Sequence, residues 1–246
     1  MAATRSLLIT TAMFAERWIL SVVFFYLAWT EFVKADALHA GRLPQETSSV
    51  FIDVAHHYIL FVLAALTGVF LLVARRASVA PERLRFVLVP LATTFFTLLY
   101  YTVPHFPTPL RASLSPPQWR SVLTTAGLAC VILGPFISLW AITHLGRSFG
   151  VFVAVRTVVL TGPYRWVRHP MYLGWIVVCV GVALANFSIA YFLLTSGHVA
   201  LLVYRARLEE TNLIECDAAY REHAQTSGFI FPRFRQSRNR PDRRQP

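Results

Sequence analysis

Apolar residues gather into six runs, at 18–33, 54–73, 84–103, 122–142, 172–185 and 188–204, and charged residues collect between them. A helix that crosses a bilayer needs about 20 apolar residues, within a range of about 17–25. Runs two, three and four meet that length, and run one meets it if it begins near Phe14. Run five, 172–185, holds only 14 residues. At about 1.5 Å per residue it reaches about 21 Å, short of a hydrocarbon core of about 30 Å. Only Asn186-Phe187 separates it from run six. The pattern therefore predicts a tight helical hairpin whose tip stops short of the far side and is buried against other helices, where irregular backbone is tolerated at membrane depth. The predicted fold class is all-α: a multi-pass transmembrane helical bundle of about six membrane segments, the last two forming the hairpin.

Composition agrees. The 246 residues are 56% hydrophobic and 14% charged, against about 25% charged in soluble domains, and the mean hydropathy is +0.53. Lys and Arg number 23 against 12 Asp and Glu, a net charge of +11, and Lys34 is the only lysine. That arginine bias reflects genomic base composition more than chemistry and hints at a bacterium. A strong positive charge can mark nucleic-acid binding. Here the arginines sit beside apolar runs, as in cytoplasmic loops, so no nucleic acid is expected. Arg75, Arg76, Arg83 and Arg85 follow run two, Arg147, Arg156, Arg165 and Arg168 follow run four, and the tail from Arg205 is richer still. One crossing per run puts all three stretches on one side, expected to be cytoplasmic with both termini, in the inner (plasma) membrane if the source is bacterial. The Pro-rich stretch 104–117 falls opposite. The tail 235–246 lacks apolar periodicity and is expected to be disordered, touching anionic lipid. Cys130, Cys179 and Cys216 are isolated, without disulfide or zinc spacing, and no metal is expected. The apolar run after Arg5 meets Glu16-Arg17 without a cleavage site, so no signal peptide is expected.

Two charged clusters bracket the hairpin: Gly162-Pro163-Tyr164-Arg165-Trp166-Val167-Arg168-His169-Pro170-Met171-Tyr172 before it and Arg205-Ala206-Arg207-Leu208-Glu209-Glu210 after it. Charge beside a bilayer is costly unless it faces water, a partner or a ligand, and a hairpin returns both clusters to one leaflet. Gly-Pro marks a turn. Pro170 fits the first position of a helix and biases His169 out of the α region. Free N–H groups at that helix start favour an anion, and Tyr164 and Tyr172 offer aromatic faces to a ring or a cation. The plain alternative is a basic cytoplasmic loop with interfacial aromatics. Arg205 and Glu209 stand four apart on one helix face; as an exposed pair they would contribute only about 0.3–0.5 kcal/mol. Read together, the clusters outline a cytoplasm-facing pocket suited to a ligand with a carboxylate, a ribose and a positive sulfur.

This half of the chain resembles the isoprenylcysteine carboxyl methyltransferase family, with the wider group of membrane phospholipid methyltransferases behind it. The pattern is Gly162-Pro163-Tyr164, then Arg168-His169-Pro170-Met171-Tyr172, then Arg205, Glu209-Glu210 and Leu213, within roughly residues 146–220. The resemblance implies S-adenosylmethionine bound among the last helices, and no Gly-x-Gly-x-x-Gly competes with that. It implies cofactor contacts from Arg156, Thr157, Val158, Val159, Tyr164, His169, Pro170, Met171, Tyr172 and Glu209, and a substrate-facing role for Arg205. Arg156–Val159 match by offset from Tyr164 and not by residue type. Two positions depart from the family: Glu215-Cys216 stands where Phe-Gly is expected, and His223 where a tyrosine is expected. The chain then divides into N-terminal transmembrane helices of unknown role (1–120), a methyltransferase core (121–232) and a basic tail (233–246).

The implied chemistry is methyl transfer by in-line displacement, where alignment and a fixed electrostatic environment do most of the catalysis. A carboxylate acceptor needs no base, and Arg205 would hold it; an amine would need one, with Glu210 the nearest. The expected partners are a lipophilic small-molecule or lipidated substrate and membrane lipid. The alternatives are a phospholipid or small-molecule N- or S-methyltransferase, and a transporter or binding protein without catalysis. Elsewhere, His56 and His57 point about 100° apart on a helix and make a poor metal pair. His144 and His198 read as hydrogen-bonded packing residues, and Pro135 as a helix kink. Glu16, Glu31, Asp36 and Asp53 flank membrane segments and are expected to snorkel to the interface.

Overall fold

The computed structural model describes residues 2–42, 50–75, 77, 83–154 and 156–233. Each apolar run becomes a helix. They are α1 (Ala2–His39), α2 (Val50–Val73), α3 (Arg85–Phe95) continued by a 3-10 helix (Phe96–His105), α5 (Pro117–Leu145), α6 (Pro170–Asn186) and α7 (Ile189–Cys216), with short α4 (Thr108–Arg111) and α8 (Ala218–Thr226) outside the runs. Four helices are long and apolar enough to cross a membrane, and two shorter apolar ones accompany them. Among the described residues there is no strand, only an isolated bridge between Val167 and Gly228. The protein is an all-α, multi-pass membrane bundle.

Two elements differ from the pattern. Helix α1 starts well before the first apolar run because residues 2–39 contain neither Gly nor Pro. It stops at Gly41, whose φ of +68° allows the left-handed turn that ends helices. The Arg42 N–H then reaches back to Ala37 O at 2.8 Å, closing a six-residue ring. Run three changes winding at Phe96. Since 3-10 winding rises about 2.0 Å per residue against about 1.5 Å, its 11 α and 10 3-10 residues cover about 36 Å.

Helices α5 and α6 lie backbone to backbone along a seam of small residues. A Cβ at Gly127 would sit 2.6 Å from Gly181 O, and one at Gly134 would sit 2.6 Å from Gly174 O. The pairs repeat every seven residues, antiparallel, with Ser138 Oγ bonded to Met171 O at 3.3 Å near one end. Where apolar burial gives no drive, as between helices in lipid, such close approach supplies dispersion contact. At the hairpin tip Phe187 takes a left-handed conformation, φ 41° and ψ 56°. Its N–H bonds Ala183 O at 2.8 Å and its carbonyl accepts the Leu114 N–H at 2.7 Å. At 17 residues, α6 reaches about 25 Å, and its tip is tied to protein as the hairpin reading required.

The arginine-bearing stretches meet at the opposite end. Arg75 N–H bonds Arg147 O at 2.7 Å and Arg147 Nε bonds Val73 O at 3.2 Å, so the ends of α2 and α5 are joined. Arg76 and the tail 235–246 lie outside the described residues.

The seam makes a direct expectation. Gly134→Ala or Gly174→Ala pushes a methyl into facing backbone and should cost about 1–3 kcal/mol. Gly197→Ala, whose Cβ meets only the Phe96 ring at 3.4 Å, should be near neutral. Thermal unfolding of the three detergent-purified variants checks this ranking, and equal midpoints would refute it.

Candidate functional site

A cavity of about 730 Å³ runs between the α1–α2 pair and the α5–α6–α7 group, with α3 along one wall. Much of its lining is apolar, with Leu27, Leu60, Leu63, Leu98 and Val131 among others, and Arg168, His169, Arg205 and Glu209 gather polar groups at one place on it.

Local sequence builds that polar end. Gly162 has φ +59°, and a Cβ there would overlap the His144 ring, so only glycine fits the turn. Pro170 then opens α6 with His169 as its N-cap, φ −123°. Phe152 and Val153, in the loop between α5 and this turn, are held by buried groups. Pro90 lacks an N–H, which leaves Phe86 O without its helical donor, and Val153 N–H fills it at 3.1 Å. Phe152 N–H bonds Glu16 Oε1 at 2.7 Å.

Three arginines enter the site and each has a carboxylate. Arg205, 7% exposed, donates from Nε to Glu209 Oε1 at 3.2 Å, from Nη2 to Val151 O at 2.6 Å, and more weakly from Nη1 to Pro90 O at 3.5 Å and Thr94 Oγ1 at 3.4 Å. Its guanidinium also lies 5.3 Å from the Tyr172 ring centre. The Tyr172 hydroxyl donates to the same Glu209 Oε1. Arg168 pairs with Glu210 and donates to Ala224 O and Ser227 O at 2.9 and 2.7 Å. Arg156 Nη2 donates to Glu16 Oε2 at 2.6 Å and its Nε to Arg75 O at 3.3 Å.

His169 is 6% exposed, stacked on Tyr172 with ring centres 5.5 Å apart and met edge-on by Phe229. Its Nδ1 and Nε2 lie 3.9 Å from Glu209 Oε2 and Glu210 Oε1, beyond hydrogen-bond reach, and Nε2 is buried without a partner. Burial, reinforced by the positive charges of Arg168 and Arg205, holds the imidazole down to about 3. The nearby carboxylates do not reverse this, since each is bound to its own arginine. Burial, with Glu209 beside it, likewise pushes the Tyr164 phenol well up, so both rings are neutral at pH 7.

The chain's last described residues close over this end. Arg168 and His169 N–H groups bond Gly228 O and Phe229 O at 2.9 and 3.1 Å, and Gly228 N–H bonds Trp166 O at 3.0 Å. His223, at one departure from the family pattern, uses Nε2 to bond Tyr164 O at 2.8 Å.

Arg156, Thr157, Val158, Val159, Tyr164, His169, Met171, Tyr172, Arg205 and Glu209 all line the cavity. Pro170 is buried as the first helical residue, and Glu210 stands behind the lining, holding Arg168 and Tyr220. Sequence reasoning put Arg168 in the pocket-forming cluster without a role of its own and gave none to Asn212 or Tyr220, all of which line the cavity, and it misplaced Glu16. That residue does not snorkel: it is 2% exposed and doubly bonded inside. Glu31 is also bound, to His57 Nδ1 at 2.6 Å and Lys34 Nζ at 2.9 Å, and the Asp53 side chain lies outside the described residues. The signal for Glu16 was a carboxylate within a mostly apolar helix.

The buried histidine sets a pH expectation. Unfolded, His169 titrates near pH 6.5; folded, near 3. Acid therefore favours the unfolded chain, which takes up the proton first. Its contribution is unchanged above about pH 6.5 and destabilises increasingly as pH falls toward 3, by up to about 1.4 kcal/mol per pH unit. Thermal midpoints of wild type should drop more steeply than those of His169→Gln below about pH 6.5; parallel curves would mean the folded imidazole takes up protons freely.

Residues 127–215 match the model of the Isoprenylcysteine carboxyl methyltransferase (ICMT) family. No curated protein matches the chain. The matched span runs from Gly127 in the seam of α5 to Glu215 near the end of α7, and it contains Tyr164, His169, Tyr172, Arg205, Glu209 and Glu210, whereas α1, α2, α3 and the closing segment lie outside it. Residues 127–215, about a third of the chain, are thus similar to the isoprenylcysteine carboxyl methyltransferase family, and together with the bundle of apolar helices this similarity supports a membrane methyltransferase in general.

Proposed function

We propose that the protein uses S-adenosylmethionine to methylate a lipophilic carboxylate, isoprenylcysteine-like or of another type, at the polar end of the cavity, with the arginine-bearing face in the cytoplasm. The observation that carries this reading is the unfinished hydrogen bonding around Glu209 and His169. Glu209 Oε1 is filled by Tyr172 and Arg205, while Oε2 has His169 Nδ1 no nearer than 3.9 Å. His169 Nε2 is buried and unpartnered, a costly state unless a ligand completes it. A free carboxylate oxygen suits ribose hydroxyls, the start of α6 suits the methionyl carboxylate, and Tyr164 and Tyr172 offer aromatic faces. The donor set therefore fits S-adenosylmethionine, which when bound supplies an electrophilic methyl group on a sulfonium.

The protein's task is then binding, orientation and exclusion of water. Thr157, Val158 and Val159 give the site a wall, and Met171 and Tyr172 the opening of α6. Arg205 is the group placed to orient an acceptor carboxylate. Its Nη2 is fixed by a short bond of 2.6 Å to Val151 O and its Nε by a bond of 3.2 Å to Glu209, whereas Nη1 makes only contacts of 3.4–3.5 Å and is the donor most easily redirected to a substrate. An already ionised carboxylate needs no base, and the site is poorly equipped with one: burial beside Arg168 and Arg205 disfavours protonation of His169, Glu209 is assigned to the cofactor, and Glu210 is bound to Arg168 behind the lining. That arrangement supports a carboxylate over an amine acceptor. The apolar part of the cavity's lining suits a hydrocarbon tail arriving from the bilayer. Fixed partners at the reacting end supply alignment and electrostatic preorganisation without rearrangement.

Calorimetry of S-adenosylmethionine binding to detergent-purified wild type and Glu209→Ala tests the assignment. Wild type should bind, and the variant should lose at least about tenfold in affinity, or about 1.4 kcal/mol, while retaining helix content and a cooperative thermal transition. Well-folded wild type that binds nothing would refute the cofactor, and an unaffected variant would refute Glu209 as its ligand.

A further inference from the structure

Glu16 lies on α1, far outside the matched span, yet it is joined to the polar end of the cavity by a continuous chain of hydrogen bonds. Its Oε1 accepts the Phe152 N–H at 2.7 Å. The carbonyl of that same peptide unit, Val151 O, accepts Arg205 Nη2 at 2.6 Å. Arg205 Nε then donates to Glu209 Oε1 at 3.2 Å. One peptide group is thus gripped from both sides, by a carboxylate on its donor and a guanidinium on its acceptor. Bonds to charged groups are about twice as strong as neutral ones, and bonds in series polarise one another.

Glu16 needs a counter-charge at this depth, and Arg156 Nη2 supplies it at 2.6 Å. The Arg156 guanidinium is spoken for on its other edge by Arg75 O. It also packs so closely on Gly150 that a Cβ there would overlap it. We propose that Glu16 is a positioning residue that aims Arg205 through the Val151–Phe152 peptide, and that Arg156 serves as the counter-ion of Glu16 and not as a contact for the cofactor. The consequence for cofactor affinity rests on the S-adenosylmethionine reading above; the anchoring of the peptide does not.

Buried pairs have an asymmetry that makes this testable. Removing one partner leaves an uncompensated charge and is severe, whereas replacing both with well-packed neutral groups is often tolerated. Three full-length, detergent-purified variants are needed: Glu16→Leu, Arg156→Met, and the double Glu16→Gln/Arg156→Met. In the double variant the glutamine keeps an acceptor for Phe152 N–H, and the methionine fills space without charge. Hydrogen exchange needs no ligand. The Phe152 amide should exchange at least about tenfold faster in Glu16→Leu and within about threefold of wild type in the double variant. Amides of α5 and α6 should be unchanged in both, which also confirms that each is folded. S-adenosylmethionine affinity should fall at least about tenfold in Arg156→Met and return to within about threefold of wild type in the double variant.

Unchanged Phe152 exchange in Glu16→Leu would overturn the anchor. A double variant as weak as Arg156→Met would make Arg156 a cofactor contact and overturn its role as counter-ion. If Glu16→Leu does not fold, Arg156→Met and the double variant decide the matter by the same two measurements. Wild type with a Glu16-dependent, protected Phe152 amide but no S-adenosylmethionine affinity would uphold the anchor and refute the cofactor.

Discussion

A buried guanidinium or carboxylate is tolerable only beside an opposite charge and within a full set of hydrogen bonds, and that requirement organises this protein. Arg156 with Glu16, Arg168 with Glu210 and Arg205 with Glu209 meet it at one end of one cavity. Each pair also has a structural errand. Arg156 and Glu16 bind α1 to the loop after α5. Arg168 and Glu210 bind α7 to α8 and the closing segment. Arg205 and Glu209 bind α7 to α3 and to the first turn of α6. The helices cannot slide past one another without breaking a pair, so a site assembled from distant segments keeps one geometry.

Much of this was legible in the sequence because the bilayer imposes length and pattern directly. Six apolar runs became six helices, and a two-residue link between runs five and six left the hairpin as the only local solution. Gly162 and Pro170 announced their turn and helix start through backbone chemistry that few other residues can satisfy. Side-chain partners across the fold were not legible. Arg205 and Glu209 share a helix face, so their pairing was visible. Glu16 and Arg156 are 140 positions apart, and no periodicity connects them. The seven-residue spacing of Gly127 with Gly134 and of Gly174 with Gly181 was visible, but its meaning depends on the two helices facing each other.

One departure from the family pattern acquires a local sense. His223, where a tyrosine is expected, holds the carbonyl of Tyr164 and so ties α8 to the turn that opens the site. The helices before residue 127 are not an appendage either. They form one side of the cavity and contribute Glu16 to its polar end, so the matched span by itself does not enclose the cavity.

The change of winding at Phe96 has a geometric result. In a 3-10 helix residues three apart eclipse one another, so Thr97 and Tyr100 stand in a line, continuing from Thr94 at the end of α3, and all three face the cavity. Thr94 touches Arg205 at one end of this line, and the Tyr100 hydroxyl reaches Thr195 toward the other. An ordinary α-helix would have carried these oxygens around its axis and away from the opening. Wound this way, Thr94, Thr97 and Tyr100 bring three hydroxyl-bearing side chains to one wall of the cavity, their backbone positions about 6 Å apart along the 3-10 axis, so that wall is not an unbroken hydrocarbon face.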